Sequence, residues 1–83
     1  MNITEVCNTD KIVSYFGQTF VVPKWTKSVC TDVDGSIWCI SADKSYVHFN
    51  GREWITGRQT SGYLLGYAEV GTFSAQESFV EYD

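Results

Sequence analysis

Two dipeptides, Asp34-Gly35 and Asn50-Gly51, constrain this chain more than any other feature. Both supply the positive φ angles that tight turns between antiparallel strands demand. β-branched and aromatic runs flank each of them. Ser28-Val29-Cys30-Thr31 and Ile37-Trp38-Cys39-Ile40 bracket the first, and Tyr46-Val47-His48-Phe49 and Glu53-Trp54-Ile55 bracket the second. A chain built this way folds as hairpins.

The same signals recur on both sides of this central region. Lys11-Ile12-Val13-Ser14-Tyr15-Phe16 and Thr19-Phe20-Val21-Val22 read as a hairpin around Gly17-Gln18, closed by Pro23, which cannot donate to a ladder. Lys24-Trp25-Thr26-Lys27 then forms a connection or a single helical turn. Gly57 to Gly62 reads as a polar loop. In Tyr63-Leu64-Leu65-Gly66-Tyr67-Ala68-Glu69-Val70, Gly66 suggests a bulge where a strand bends. Ser74-Ala75-Gln76-Glu77 has capping-box spacing for one helical turn before Phe79-Val80-Glu81-Tyr82. The expected strands are 11–16, 19–22, 28–33, 36–41, 45–49, 52–56, 63–70 and 78–82. The fold class is mainly β, a small strongly bent antiparallel sheet or SH3-like barrel with little helix.

Registers follow from turn length. A two-residue Asp34-Gly35 turn sets Cys30 opposite Cys39, whereas a three-residue loop through Val33 with a glycine bulge shifts the pairing by one and separates them. A two-residue Asn50-Gly51 turn pairs Phe49 with Arg52, His48 with Glu53 and Val47 with Trp54. One face of that ribbon then shows Val47, Phe49 and Trp54, and the other Tyr46, His48 and Ile55.

With 83 residues, one Pro and no low-complexity tract or repeat, 1–83 reads as a single domain with a thin core. Hydrophobic residues at 43% and aromatics at 16% exclude disorder. The N-terminal residues lack a basic segment ahead of an apolar run, and no stretch approaches the roughly 18 apolar residues of a membrane span, so an intracellular protein with no membrane partner is expected. Cys7, Cys30 and Cys39 are expected as reduced thiols acting as small hydrophobes.

No motif for catalysis, metal or phosphate stands out, and no cofactor is expected. Asp32-Val33-Asp34-Gly35-Ser36 lacks the calcium-loop spacing, because its Gly comes fourth and no Glu stands twelfth. One His and three scattered Cys give no zinc pattern. His48 facing Glu53 as a general base, or a cysteine nucleophile, defines a minor reading as a small hydrolase or redox enzyme. The leading reading is non-enzymatic.

Arg52, Trp54 and Arg58, with Phe49 and His48 in support, sit near a hairpin tip and a polar loop. They are the residue types that anchor interfaces. The net charge of −4 lies wholly after residue 59, in Glu69, Glu77, Glu81 and Asp83 without a Lys or Arg, forming an acidic strip that could face a basic partner. Such a strip disfavours generic nucleic-acid binding. Sequestration of a nucleotide or short nucleic acid by Arg52, Arg58 and the tryptophans is the alternative. A homodimer is compatible with either.

The run Phe16-Gly17-Gln18-Thr19-Phe20-Val21-Val22-Pro23-Lys24-Trp25, followed by Thr31-Asp32-Val33-Asp34-Gly35-Ser36-Ile37-Trp38, resembles small accessory proteins of tailed bacteriophages. The resemblance covers about the first 40 residues and carries over no catalytic residue. It implies expression in the cytoplasm of a bacterial host. It also implies a protein that binds and disables or redirects a host factor, and the leading reading is accordingly a phage-encoded inhibitor of a host or defence protein acting by steric occlusion.

Overall fold

The computed structural model describes residues 10–57 and 59–82. Eight strands follow one another as β1 (Asp10–Tyr15), β2 (Gln18–Pro23), β3 (Ser28–Thr31), β4 (Ser36–Ile40), β5 (His48–Phe49), β6 (Trp54–Ile55), β7 (Gly62–Tyr67) and β8 (Val80–Glu81). All the pairings are antiparallel. Short 3-10 turns occupy Lys44–Tyr46 and Ala75–Glu77. The mainly β expectation holds, and no helix among the described residues is long and apolar enough to cross a membrane.

The strands form a central sheet ordered β7-β4-β3-β8 and two separate hairpins, β1-β2 and β5-β6. Side-chain alternation explains the layering. Val29, Ile37 and Cys39 point to one face and pack with Val13, Tyr15 and Val22 of the β1-β2 hairpin. Cys30 and Ile40 point to the other face, where they meet Ala42 and Val47, with Trp38, Trp54 and Phe79 packed alongside. The central sheet is thus covered on both sides, and β3 is buried along its whole length. No barrel closes among the described residues. β5, β6 and β8 are two residues long, too short to carry a ladder around a closed sheet.

Turn geometry settles the registers. Asp32 N donates to Ser36 O, and Gly35 has φ +93°, giving the three-residue loop with a bulge. Cys30 therefore pairs with Trp38 and Cys39 with Val29. Both thiols are free and buried, on opposite faces of the sheet, while Cys7 lies outside the described residues. In the second hairpin the turn is displaced: Asn50 N donates to Glu53 O, so Gly51 and Arg52 form the loop. The expected pairing is corrected by two positions, to Phe49 with Trp54 and His48 with Ile55. The cause is Asn50, whose Oδ1 accepts from Arg52 N and Glu53 N and so becomes the turn's cap rather than one of its two central residues. A shift of two preserves the faces.

Other expectations hold with trimming. The strand expected over 45–49 shrinks because Asp43 accepts from Ser45 N and starts a 3-10 turn instead. The helical turn after Ser74 forms, but Ser74 makes no side-chain cap. Lys24-Trp25-Thr26-Lys27 is a connection, with Thr26 N donating to Pro23 O. The bulge near Gly66 is present: Ile37 pairs with Gly66 and Trp38 with Leu64, leaving Leu65 as the extra residue.

Candidate interaction surfaces beside the β3-β4 turn

The β3-β4 turn separates two concave surfaces at the same end of the central sheet. One lies beside the β5-β6 hairpin, where the sequence places its interface residues. It is a cleft of about 490 Å³ lined by Asp32, Val33, Asp34, Asn50, Arg52 and Glu53. Its construction is polar and self-satisfied. Arg52 O accepts from Val33 N, and Asp32 Oδ1 accepts from Trp54 N at 2.8 Å. Asp34 Oδ1 accepts from both Ser36 N and Ser36 Oγ, which holds its carboxyl below the ordinary range. Burial chiefly pushes Asp32 the other way, with Asp34 and Glu53 adding repulsion, while the Trp54 N–H partly offsets them.

This geometry divides the expected anchors. Arg52 and His48 are exposed, whereas Arg58 and Asp83 lie outside the described residues. Trp54, expected to project, is instead half-buried. Its ring packs against Phe49 and Phe79, each at 5.1 Å between centroids and tilted by 45°, and its Nε1 donates to Ala75 O. The indole holds the β5-β6 hairpin and the 75–77 turn onto the sheet, because an aromatic with a satisfied polar tip is worth more inside than out. Around Arg52 stand three carboxylates, which repel phosphate and weigh against nucleotide capture there.

Nor do the expected catalytic groups meet. His48 faces Ile55 rather than Glu53. Burial, with Asp32 and Cys39 adding to it, pushes the Cys30 thiol up to about 12, and burial also raises Cys39. A thiol held protonated is a poor nucleophile.

The second surface, beside the β1-β2 hairpin, is a groove of about 630 Å³. Its walls include Phe16, Phe20, Tyr67 and Phe73, its floor is formed by Tyr15, Thr31 and Ser78, and Glu77 stands among the lining residues. The floor is rigid. Tyr15 Oη donates to Ser78 O and lies 2.8 Å from Thr31 Oγ1, while Ser78 Oγ accepts from Thr31 N and donates toward Ala75 O. These bonds fasten β1, β3 and the 75–78 segment together beneath the walls.

The walls are costly to fold. Phe16 is 68% exposed and Tyr67 72% exposed. Phe16 also has φ +48° ahead of Gly17 at +82°, so a bulky aromatic occupies the left-handed region in a two-residue turn. Its ring meets Tyr15 edge-on at 4.8 Å and otherwise points outward. Sequence reading placed Phe16 at a strand end and missed this groove. The signal was present in Phe16-Gly17, since a Phe ahead of Gly in a two-residue loop is strained wherever the ladder closes around it.

The acidic strip is dispersed. Glu77 lines the groove, Glu69 is exposed after β7, and Glu81 lies on β8, where its Oε2 accepts from Lys44 N. No family model, curated protein or solved structure matches the chain.

Proposed function

We propose that this protein is a non-enzymatic protein-interaction module, a phage-encoded inhibitor of a bacterial host or defence protein that acts by steric occlusion in the host cytoplasm. The observation that carries this reading is the pair of solvent-facing aromatics, Phe16 and Tyr67, on the walls of a groove with a fixed floor. Exposed, rigidly mounted aromatics are the side chains that dominate binding energy at protein interfaces. A strained Phe in a turn that meets the core only edge-on at Tyr15 is accounted for by what it touches outside. The resemblance of residues 16–38 to phage accessory proteins supports the choice of a host protein as partner.

The working surface is thereby transferred from Arg52, Trp54 and Arg58 to the Phe16–Tyr67 groove. Capture from bacterial lysate with parallel variants tests this. A captured protein lost with Phe16→Asn and with Tyr67→Ser, but retained by Arg52→Ala and His48→Ala, supports the groove. The reverse pattern restores the Asn50-Gly51 hairpin as the contact surface and refutes the transfer.

A further inference from the structure

We infer that the groove beside the β1-β2 hairpin receives an arginine side chain of the partner protein, an inference that rests on the interaction-module reading above. Three features of the groove select this occupant. Its walls present the rings of Phe16, Phe20, Tyr67 and Phe73, whose π faces attract cations. Its described lining holds one acidic side chain, Glu77, and no Lys or Arg. Glu69, which directly follows the lining residue Ala68 and is exposed, adds to that sign.

The competing occupants each fail on one of these features. A neutral apolar side chain would cover the aromatic walls but gain nothing from the exposed Glu77 carboxylate beside them. A carboxylate or phosphate would be repelled by Glu77 and by the ring faces. Arginine satisfies both, since its planar guanidinium stacks on rings while its N–H groups reach a carboxylate. Lysine offers a point charge that is more strongly hydrated and cannot stack, so it should bind less well. At about 630 Å³ the groove has space for the side chain and the backbone on either side of it. Tyr15 Oη, already engaged with Ser78 and Thr31, keeps the floor from collapsing into that space.

The test is an NMR titration of the full chain with Ac-Gly-Arg-Gly-NH2 and with the same peptide carrying citrulline, the neutral isostere. Saturable shifts at Phe16, Tyr67, Phe73 and Glu77, with the citrulline peptide weaker by about fivefold or more, are expected for a charge-assisted aromatic contact. Glu77→Gln should narrow that difference, whereas Glu53→Gln, a charge-matched change on the other side of the β3-β4 turn, should leave it in place. Equal binding of the two peptides, shifts centred on Asp32, Asp34 and Glu53, or no saturable shift would each overturn the inference. The lysate experiment separates the two levels. If capture depends on Phe16 and Tyr67 while the arginine peptide does not bind, only the arginine assignment fails; if capture is indifferent to Phe16 and Tyr67, the groove reading fails itself.

Discussion

The two hairpins that sandwich the central sheet spend their aromatic residues in opposite ways. Beside β5-β6, Phe49, Trp54 and Phe79 are packed together facing inward, and the turn above them is tied by Asn50 Oδ1, Arg52 O and Asp32 Oδ1. Beside β1-β2, Tyr15 and Phe20 face the core, but Phe16 and Tyr67 face water and Phe16 adopts a strained backbone. The first side turns three rings inward to hold the fold together while Tyr46 stays exposed, and the second mounts two exposed rings on the walls of one groove. In a chain of 83 residues, where each buried aromatic is a large share of a thin core, such a surplus points to contact with something else.

The contrast breaks most visibly at the tryptophan. Trp54→Ala should destabilise the protein by about 3–5 kcal/mol in urea unfolding, since it removes a ring packed on two others and the indole N–H bond that ties the hairpin to Ala75 O. Tyr67→Ala, an aromatic deletion of similar size on the other side, should cost no more than about 0.5 kcal/mol. Comparable losses would erase the distinction between the two sides.

Next in size is the turn that divides them. A Cβ on Gly35 would lie 2.4 Å from Ala68 O in a backbone at φ +93°, and Ala68 N donates to Gly35 O at 2.7 Å. Neither partner is a flexible side-chain end. Gly35→Ala should therefore cost about 3 kcal/mol, combining left-handed strain with a backbone clash. A cost below about 1 kcal/mol would mean that the turn is freer than the contact implies.

Tyr15→Phe sharpens the account of the groove floor. It should cost about 1–2 kcal/mol by removing the donor to Ser78 O and the partner of Thr31 Oγ1 in a buried site. The loss should be accompanied by faster amide exchange across 75–78, the segment that the phenol fastens down. Unchanged exchange there would place the fastening elsewhere.

The smallest effect is a pH dependence on the polar side. Asp32 has a carboxyl pushed up chiefly by burial, so the native state favours its protonated form. Its contribution is complete below the ordinary aspartate range near pH 4 and is lost as pH rises through the raised value. Asp32→Asn, whose amide oxygen can still accept from Trp54 N, should match the parent in stability at low pH and exceed it modestly at pH 7. A parent that gains on the variant as pH rises would reverse the sign.

Much of this fold was legible because its turns are written in short-range chemistry. Asp34-Gly35, Asn50-Gly51 and the Pro23 stop locate the hairpins, and period-two alternation gives their faces without knowledge of tertiary contacts. Register is less legible, because Asn50 serves as the cap of its turn rather than as a central residue, and only the Oδ1 bonds reveal it. The candidate surface was the least legible. Sequence identifies Trp54 and Phe16 alike as large aromatics, and proximity to a hairpin tip suggested the wrong one of them as exposed. What decides between them is whether Phe79 and the Ala75 carbonyl arrive from about 20 residues downstream to cover the ring, a long-range fact without a local signature.

The most direct test of the claim that the Phe16–Tyr67 side is the working surface measures stability and binding together in Phe16→Asn. Asn tolerates the left-handed backbone, relieving about 1–2 kcal/mol of strain, and this offsets the roughly 0.5–1.5 kcal/mol that edge-on packing of the Phe16 ring against Tyr15 contributes. The thermal midpoint should stay within about 5 °C of the parent, while affinity for the captured partner falls about tenfold or more. A variant that unfolds well below the parent yet binds unchanged when folded would show that Phe16 serves the fold, and would contradict the account.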